Sequence, residues 1–287
     1  MAQVIASGVA RGCIYALVGL GFTLIYNATN GLNFSQGEFV MLAAFGFYSA
    51  LASGLPYWIA SAVVIVGMGL FGCVFQRLLF YPLRNRNFLA FIIATIGFSI
   101  LARNGALLIW GPNPLKVPSY FGDELIRFDQ LVLAPEHVVI IVATVVILVS
   151  QYWLFFHTDL GRRLRATAQN AAVAELMGIH PHRMIAVTFA LSAMLSGLAG
   201  VLVAPIFLVD IDMGFNLILK AFVAVIIGGF GSIPGAVVGG IIVGVLEILL
   251  AVLISSTYKD AIAFALLIVL LIVFPQGIFG ERIAERA

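Results

Sequence analysis

Residues 39–76 read FVMLAAFGFYSALASGLPYWIASAVVIVGMGLFGCVFQ, without a single Asp, Glu, Lys, Arg or His. A helix rising about 1.5 Å per residue needs about 20 apolar residues to cross about 30 Å of hydrocarbon. The run is therefore long enough for two spans, and Gly54 with Pro56 supplies the turn between them. The pattern continues on both sides. Uncharged runs cover 12–37, 137–158, 184–209, 221–246 and 261–280, and 87–115 is interrupted only by Arg103. Of the 287 residues 62% are hydrophobic and 10% charged, against about 25% charged in soluble domains, which excludes a water-soluble globule. Backbone amides in hydrocarbon must be hydrogen-bonded within the protein. The short alternating segments of a transmembrane β-barrel are missing. The expectation is an all-α polytopic membrane protein.

Working outward, the apolar segments are 5–28, 35–53, 57–80, 88–111, 137–157, 184–208, 217–231, 234–254 and 261–276, joined by Gly- and Pro-containing turns. The fifteen residues of 217–231 reach only about 22 Å as a helix, short of the hydrocarbon thickness. The fold expected is thus a bundle of about eight or nine transmembrane helices with broken or re-entrant elements. The longest polar connections, 112–136 and 158–183, are too short for a core of their own, so 1–287 is read as one transmembrane domain. The N-terminal MAQVIASGVARG lacks a basic stretch ahead of its apolar run and is read as a retained span rather than a cleaved signal.

Short loops rich in Lys and Arg remain cytoplasmic. Arg77, Arg84 and Arg86 in 77–86, Arg162, Arg163, Arg165 and Arg183 in 158–183, and Arg282 and Arg286 in the tail place those segments on one side. Loops 112–136, 209–220 and 255–260 carry Lys116, Arg127, Lys220 and Lys259 against seven acidic residues and are expected outside, with the N-terminus. Net charge is +2 and the charges are clustered, so no nucleic-acid surface is expected. Small residues recur at four-residue spacing: Gly8, Gly12 and Ala16; Ser196 and Gly200; Gly235 and Gly239; Gly240 and Gly244. Such faces let helix backbones approach closely in lipid. Glu247 shares the face of Gly240 and Gly244 and is expected inside the bundle.

Three stretches interrupt the apolar pattern. In 27–38, NATNGLNFSQGE, Ser35 and Glu38 fit a capping box. Asn33, Ser35 and Gln36 could also stand at a broken helix beside a solute pathway. In 227–235, IGGFGSIPG, four glycines and a proline cannot form a continuous helix at penalties of about 1 and 3 kcal/mol each. The chain is expected to turn there, with Ser232 capping the next helix, and Gly229 and Gly231 could form a second broken element facing the first. In 161–179, Leu164, Ala168, Ala172, Leu176 and Ile179 recur at helical spacing, ending at Gly178 and Pro181. This predicts one amphipathic helix, either resting on lipid headgroups or docking into a partner.

Several chemistries are excluded or left without support. No G-x-x-x-x-G-K-[ST] occurs, so any ATP is handled by another chain. His137, His157, His180 and His182 form no H-E-x-x-H pattern, Cys13 and Cys73 lie in apolar runs, and neither a metal nor a catalytic site is expected. No nucleophile–base pair stands out.

Across nearly its whole length the chain resembles the permease subunits of branched-chain amino acid ABC transporters, of the LivH type. The resemblance is carried by GLNFSQGEFVML at 31–42, ATIGFS at 94–99, RATAQN at 165–170 through LMGI at 176–179, AFVAVIIGGFGSIPG at 221–235 and PQGIFG at 275–280. It implies a location in the bacterial inner membrane, a second permease subunit, two cytoplasmic ATPase subunits that hold ATP and magnesium, and a periplasmic binding protein that delivers the solute. It also implies that the loop 158–183 is the coupling element, with Arg165, Gln169, Asn170, Ala172, Glu175 and Gly178 transmitting closure of the ATPases. Solute would then pass near 33–38 and 228–235. Permeases of similar type carry urea or short amides, and Arg103 stands where a neutral polar residue is expected, which keeps a urea or short-amide cargo as an alternative. A secondary transporter is the rival class, but isolated Glu38, Arg103 and Glu247 form no proton relay.

Overall fold

A computed structural model of the chain describes residues 2–84, 86–119, 126–128, 131–253, 265 and 277–279. The expected last span 261–276 apart from residue 265, the tail arginines Arg282 and Arg286, and Asp123, Glu124, Asp129, Lys259 and Asp260 lie outside the described residues.

The chain runs through α1 (Ala2–Thr29), α2 (Gln36–Ala52) and α3 (Tyr57–Phe75), then through a π-helical turn at Gln76–Phe80 into the short α4 (Tyr81–Leu83). After α5 (Phe88–Trp110) a small antiparallel hairpin pairs β1 (Ile126–Phe128) with β2 (Leu131–Leu133). There follow α6 (Pro135–His157), α7 (Asp159–Gln169), α8 (Ala171–Leu176), α9 (Pro181–Val203), α10 (Met213–Gly228) and α11 (Ile233–Leu253). Proline opens α6 and α9, where its missing N–H has no helical partner to lose.

Among the described residues six helices are long and apolar enough to cross a membrane: α1, α3 continuing into α4, α5, α6, α9 and α11. The remaining apolar helices, α2 with 17 residues and α10 with 16, reach only about 25 Å by helix rise. Six full-length helices thus stand among the described residues, short of the eight or nine crossings expected. The two short helices, α2 and α10, are the elements adjoining the predicted breaks.

Packing follows the small-residue faces. Series from opposite ends of the chain meet: a Cβ on Gly12 would stand 2.6 Å from the Cα of Ile241, and one on Gly244 would overlap the backbone of Gly12. Gly200 faces Val40 and Ala43 of α2, and Gly239 lies against Ala224 of α10. Elsewhere aromatic rings fill the joins. Phe39 of α2 meets Phe75 of α3 edge to face at 4.9 Å, and Phe75 meets Phe98 of α5 at 5.0 Å. The outer faces of α3, α5 and α6 expose Trp58, Leu70, Ile93, Leu108, Val149 and Trp153. That pattern suits lipid and would be untenable in water. Of the two cysteines in apolar runs, Cys13 is buried, whereas Cys73 lies exposed on an outer face.

Candidate functional site

The first break is real and polar. Helix α1 ends at Thr29, Asn30 has φ of +52°, and 30–35 is not helical. Gln36 sits beside Gly21, so this stretch doubles back along the last two turns of α1, about 12 Å. Buried polar groups must be paired in lipid, and here they are paired with each other. Gln36 Nε2 donates to Ser196 Oγ at 2.7 Å and Ser192 Oγ at 2.9 Å, Ser192 Oγ donates to the Gly21 carbonyl at 2.8 Å, and Ser35 Oγ donates to Asn33 Oδ1 at 2.6 Å. Asn33, Ser35, Gln36 and Glu38 are all buried.

The capping box is not formed. Ser35 makes no side-chain cap, and its N–H, from which Glu38 would accept in such a box, donates to Asn33 Oδ1 instead. Glu38, one residue past a backbone contact between Gly37 and Gly214, turns toward α5 instead. Its Oε1 accepts from Ser99 Oγ at 2.8 Å and from Arg103 Nε at 3.0 Å. Arg103 Nη1 also stands 3.5 Å from Asp212, just before α10, and its guanidinium lies over the Phe215 ring. The arginine inside the apolar run thus has its acidic partners on α2 and ahead of α10.

The second break meets the first. Gly229 and Gly231 have φ of +109° and +85°, values that favour glycine, and they turn the chain from α10 into α11. Ser232 Oγ accepts from the Gly235 N–H, the cap expected from sequence. Asn27 Nδ2 donates to the Gly231 carbonyl at 2.8 Å, and the Tyr26 and Phe230 rings touch edge to face at 4.6 Å. The last carbonyls of α10, left open by helix geometry, are taken by the N–H groups of Ile278 and Phe279.

At the same end of the bundle the loop after α6 differs from the single amphipathic helix expected. The helix breaks at Asn170, which is extended (φ −159°) and accepts from the N–H groups of Ala172 and Val173, starting α8 in a new direction. Leu164 is therefore buried against the bundle, whereas Leu176, assigned to the same face from its spacing, is 88% exposed beside exposed Val173 and Met177. Asp159 opens α7, and a hydrogen bond from Arg162 holds its carboxyl below the usual range. Gln169, Asn170, Ala172 and Glu175 border a basin of about 710 Å³ together with Asn30 and Arg84. Arg165 lies over the Phe156 ring at the foot of α6, and Gly178, with φ of +78°, ends α8.

Sequence reasoning passed over a third cluster. Glu247, 1% exposed, accepts from Tyr15 at 2.5 Å and from Lys220 at 2.7 Å, with Arg11 at 3.4 Å. Lys220, assigned to an outer loop from sequence, lies within α10 and is directed into the bundle. The signal was available: Arg11 and Tyr15 are four apart in α1, beside the Gly8–Gly12 face that meets the helix of Glu247. These residues line a cavity of about 160 Å³ toward the other end of the bundle from the basin.

Residues 4–271 match the family described as branched-chain amino acid transport system, permease component. The chain is 33% identical over 299 residues to the high-affinity branched-chain amino acid transport system permease protein LivH of Salmonella typhimurium, covering 99% of this chain and 97% of that protein. It is 32% identical, with the same coverage, to LivH of Escherichia coli, and 30% identical over 300 residues to the permease protein BraD of Pseudomonas aeruginosa, again covering 99% and 97%. No solved structure matches the chain. Near-complete coverage at this identity, on a bundle of apolar helices, shows that the chain belongs to the branched-chain amino acid transport system permease family and is a multi-pass transport subunit rather than an enzyme.

Proposed function

We propose that the chain is the membrane-spanning permease of an ATP-driven importer in the inner (plasma) membrane. It would work with a second permease, two cytoplasmic ATPases that bind ATP and magnesium, and a periplasmic protein that delivers branched-chain amino acids. The observation that carries this reading is the near-full-length identity to LivH and BraD, whose names describe that transport. The loop 158–183 agrees with it. Behind the arginine-bearing α7, the short α8 exposes Val173, Leu176 and Met177 instead of burying them, an apolar face suited to meeting another protein. In this reading Arg165, Gln169, Asn170, Ala172, Glu175 and Gly178 form the coupling element, the basin end and the C-terminus are cytoplasmic, and α2, α10 and the segment 261–276 complete eight or nine crossings. ATP-driven approach of the coupling loops would tilt the helices that Asn27 and Gly231 tie together, opening a route past 33–38 and 229–231.

The test is to isolate a tagged chain from its native membranes, identify what co-purifies, and measure uptake by the reconstituted assembly. Two ATPases and a second permease, with leucine uptake that requires ATP, is the expected result. Uptake of urea or a short amide in place of leucine would reassign the cargo. A chain that purifies alone and transports without ATP would make it a secondary transporter.

A further inference from the structure

The cavity at Arg11 is absorbed by neither the broken helices nor the coupling loop, and its walls are unusual for a membrane interior. Four charged side chains, Arg11, Asp210, Lys220 and Glu247, share it with an apolar wall of Phe207, Met213 and Leu217. Ionisable groups within apolar helices, as Arg11, Lys220 and Glu247 are, are costly in lipid and tend to mark solute or ion routes. Glu247 is the fixed member, held by Tyr15, Lys220 and Arg11. Arg11 reaches it only through Nη1, at 3.4 Å, so among the described residues Nη2 and Nε make no hydrogen bond, and the guanidinium plane rests on the Phe207 ring. Asp210, across the cavity, uses Oδ1 to accept the Asp212 N–H and makes no ion pair with Arg11 or Lys220 among the described residues. A cation and an anion therefore face one space without neutralising each other. The space opens between Leu208 and Asn216, both exposed. Its volume of about 160 Å³ is close to the roughly 150 Å³ at which a protein cavity accepts a six-carbon ring.

We infer that this cavity is a seat for a zwitterionic α-amino acid with a branched apolar side chain. Arg11 takes the α-carboxylate, Asp210 takes the α-ammonium, and Phe207, Met213 and Leu217 take the side chain. Glu247, Tyr15 and Lys220 are positioning residues that fix the Arg11 guanidinium. Charges of both signs select a zwitterion over either singly charged analogue, because each analogue forgoes one of the two charge-assisted hydrogen bonds, to Arg11 or to Asp210. The inference rests on the proposed amino acid cargo and adds to it where in this chain the cargo is held.

The experiment uses the full chain in its native membranes with the subunits that accompany it. Membranes are illuminated with a diazirine analogue of leucine, and labelled peptides are read by mass spectrometry. Label is expected within 203–220, displaced by excess L-leucine but not by 4-methylpentanoate, which lacks the ammonium, or by 3-methylbutylamine, which lacks the carboxylate. Asp210→Asn and Arg11→Gln should each weaken displacement by leucine at least about tenfold, the loss of one charged hydrogen bond. The competition pattern in the unsubstituted protein decides the matter even where a variant fails to insert. Displaceable label confined to 33–38 or 229–231, or label in the cavity that the singly charged analogues displace as well as leucine does, overturns the seat. If vesicles from the same membranes take up leucine while the cavity stays unlabelled, the seat falls and the transport reading stands. If they take up no leucine, both fall.

Discussion

At the scale of single residues, the ion pair between α2 and α5 decides how the unwound stretch is held. Glu38 is 1% exposed, while Arg103 retains partial access through its position between α5 and the start of α10. Replacing Arg103 leaves a buried carboxylate with only the Ser99 hydroxyl as donor, and removing one partner of such a pair costs about 3 kcal/mol. Arg103→Met should therefore lower the unfolding temperature of the purified protein sharply. Arg103→Met combined with Glu38→Gln should recover much of the loss, since the uncompensated charge is gone. A double variant no more stable than Arg103→Met alone would mean that the pair does not anchor α2. Such pairing was not legible in the sequence. Sixty-five residues separate the two side chains, and a local rule, the capping box, offered Glu38 a nearer partner. The local partner was lost because the Ser35 N–H donates to Asn33 Oδ1 rather than to the Glu38 carboxylate.

At the scale of elements, the glycine faces divide into two kinds. Gly12 and Gly244 stand where α1 and α11 touch backbone to backbone, so any side chain must push the helices apart. Gly244→Leu should cost more than the usual 1–3 kcal/mol of overpacking, read as loss of folded protein after detergent extraction. Gly67 and Gly105 have nothing within 4 Å of an added methyl. Gly105→Ala should be neutral or stabilise its helix by up to about 1 kcal/mol, since alanine loses less backbone freedom. The spacing of small residues was enough to nominate these faces but not to say which series meets which. The short helix α8 is a second test. Asn170→Ala removes the acceptor for two N–H groups and should cost about 1 kcal/mol locally, seen as faster hydrogen exchange across 171–176 with little change in global unfolding. If that loop couples to an ATPase, the same variant should hydrolyse ATP while importing less. The break at Asn170 escaped the periodicity because both halves are helical and only the direction changes. The asparagine that ends RATAQN was the one local sign, as asparagine favours caps over helix interiors.

At the scale of the whole molecule, what lipid imposes was readable and what the bundle chooses was not. Length and polarity set the spans, and glycine with proline set the turn at 229–234, because those are local costs. Helix rotation is a global choice. The sequence therefore named Glu247 as inward-facing without finding Arg11, Tyr15 or Lys220 around it. The arrangement carries a further consequence for orientation. Asn30, Arg84, Gln169 and Glu175 gather at one end of the bundle, and the bridge between Leu115 and Val209 closes the other. The arginine-rich loops belong to the first end, so the positive-inside rule predicts that this end faces the cytoplasm. Leu176→Cys, on the exposed face of α8, should therefore resist a membrane-impermeant maleimide in sealed right-side-out vesicles and react once they are permeabilised. Leu208→Cys, at the mouth of the Arg11 cavity, should react in both. The background requires Cys73→Ala, since Cys73 is exposed, whereas Cys13 is buried and should stay silent. The reverse reactivity would turn the whole bundle over, because the rigid pairing of α1 with α11 allows no inversion of one end alone.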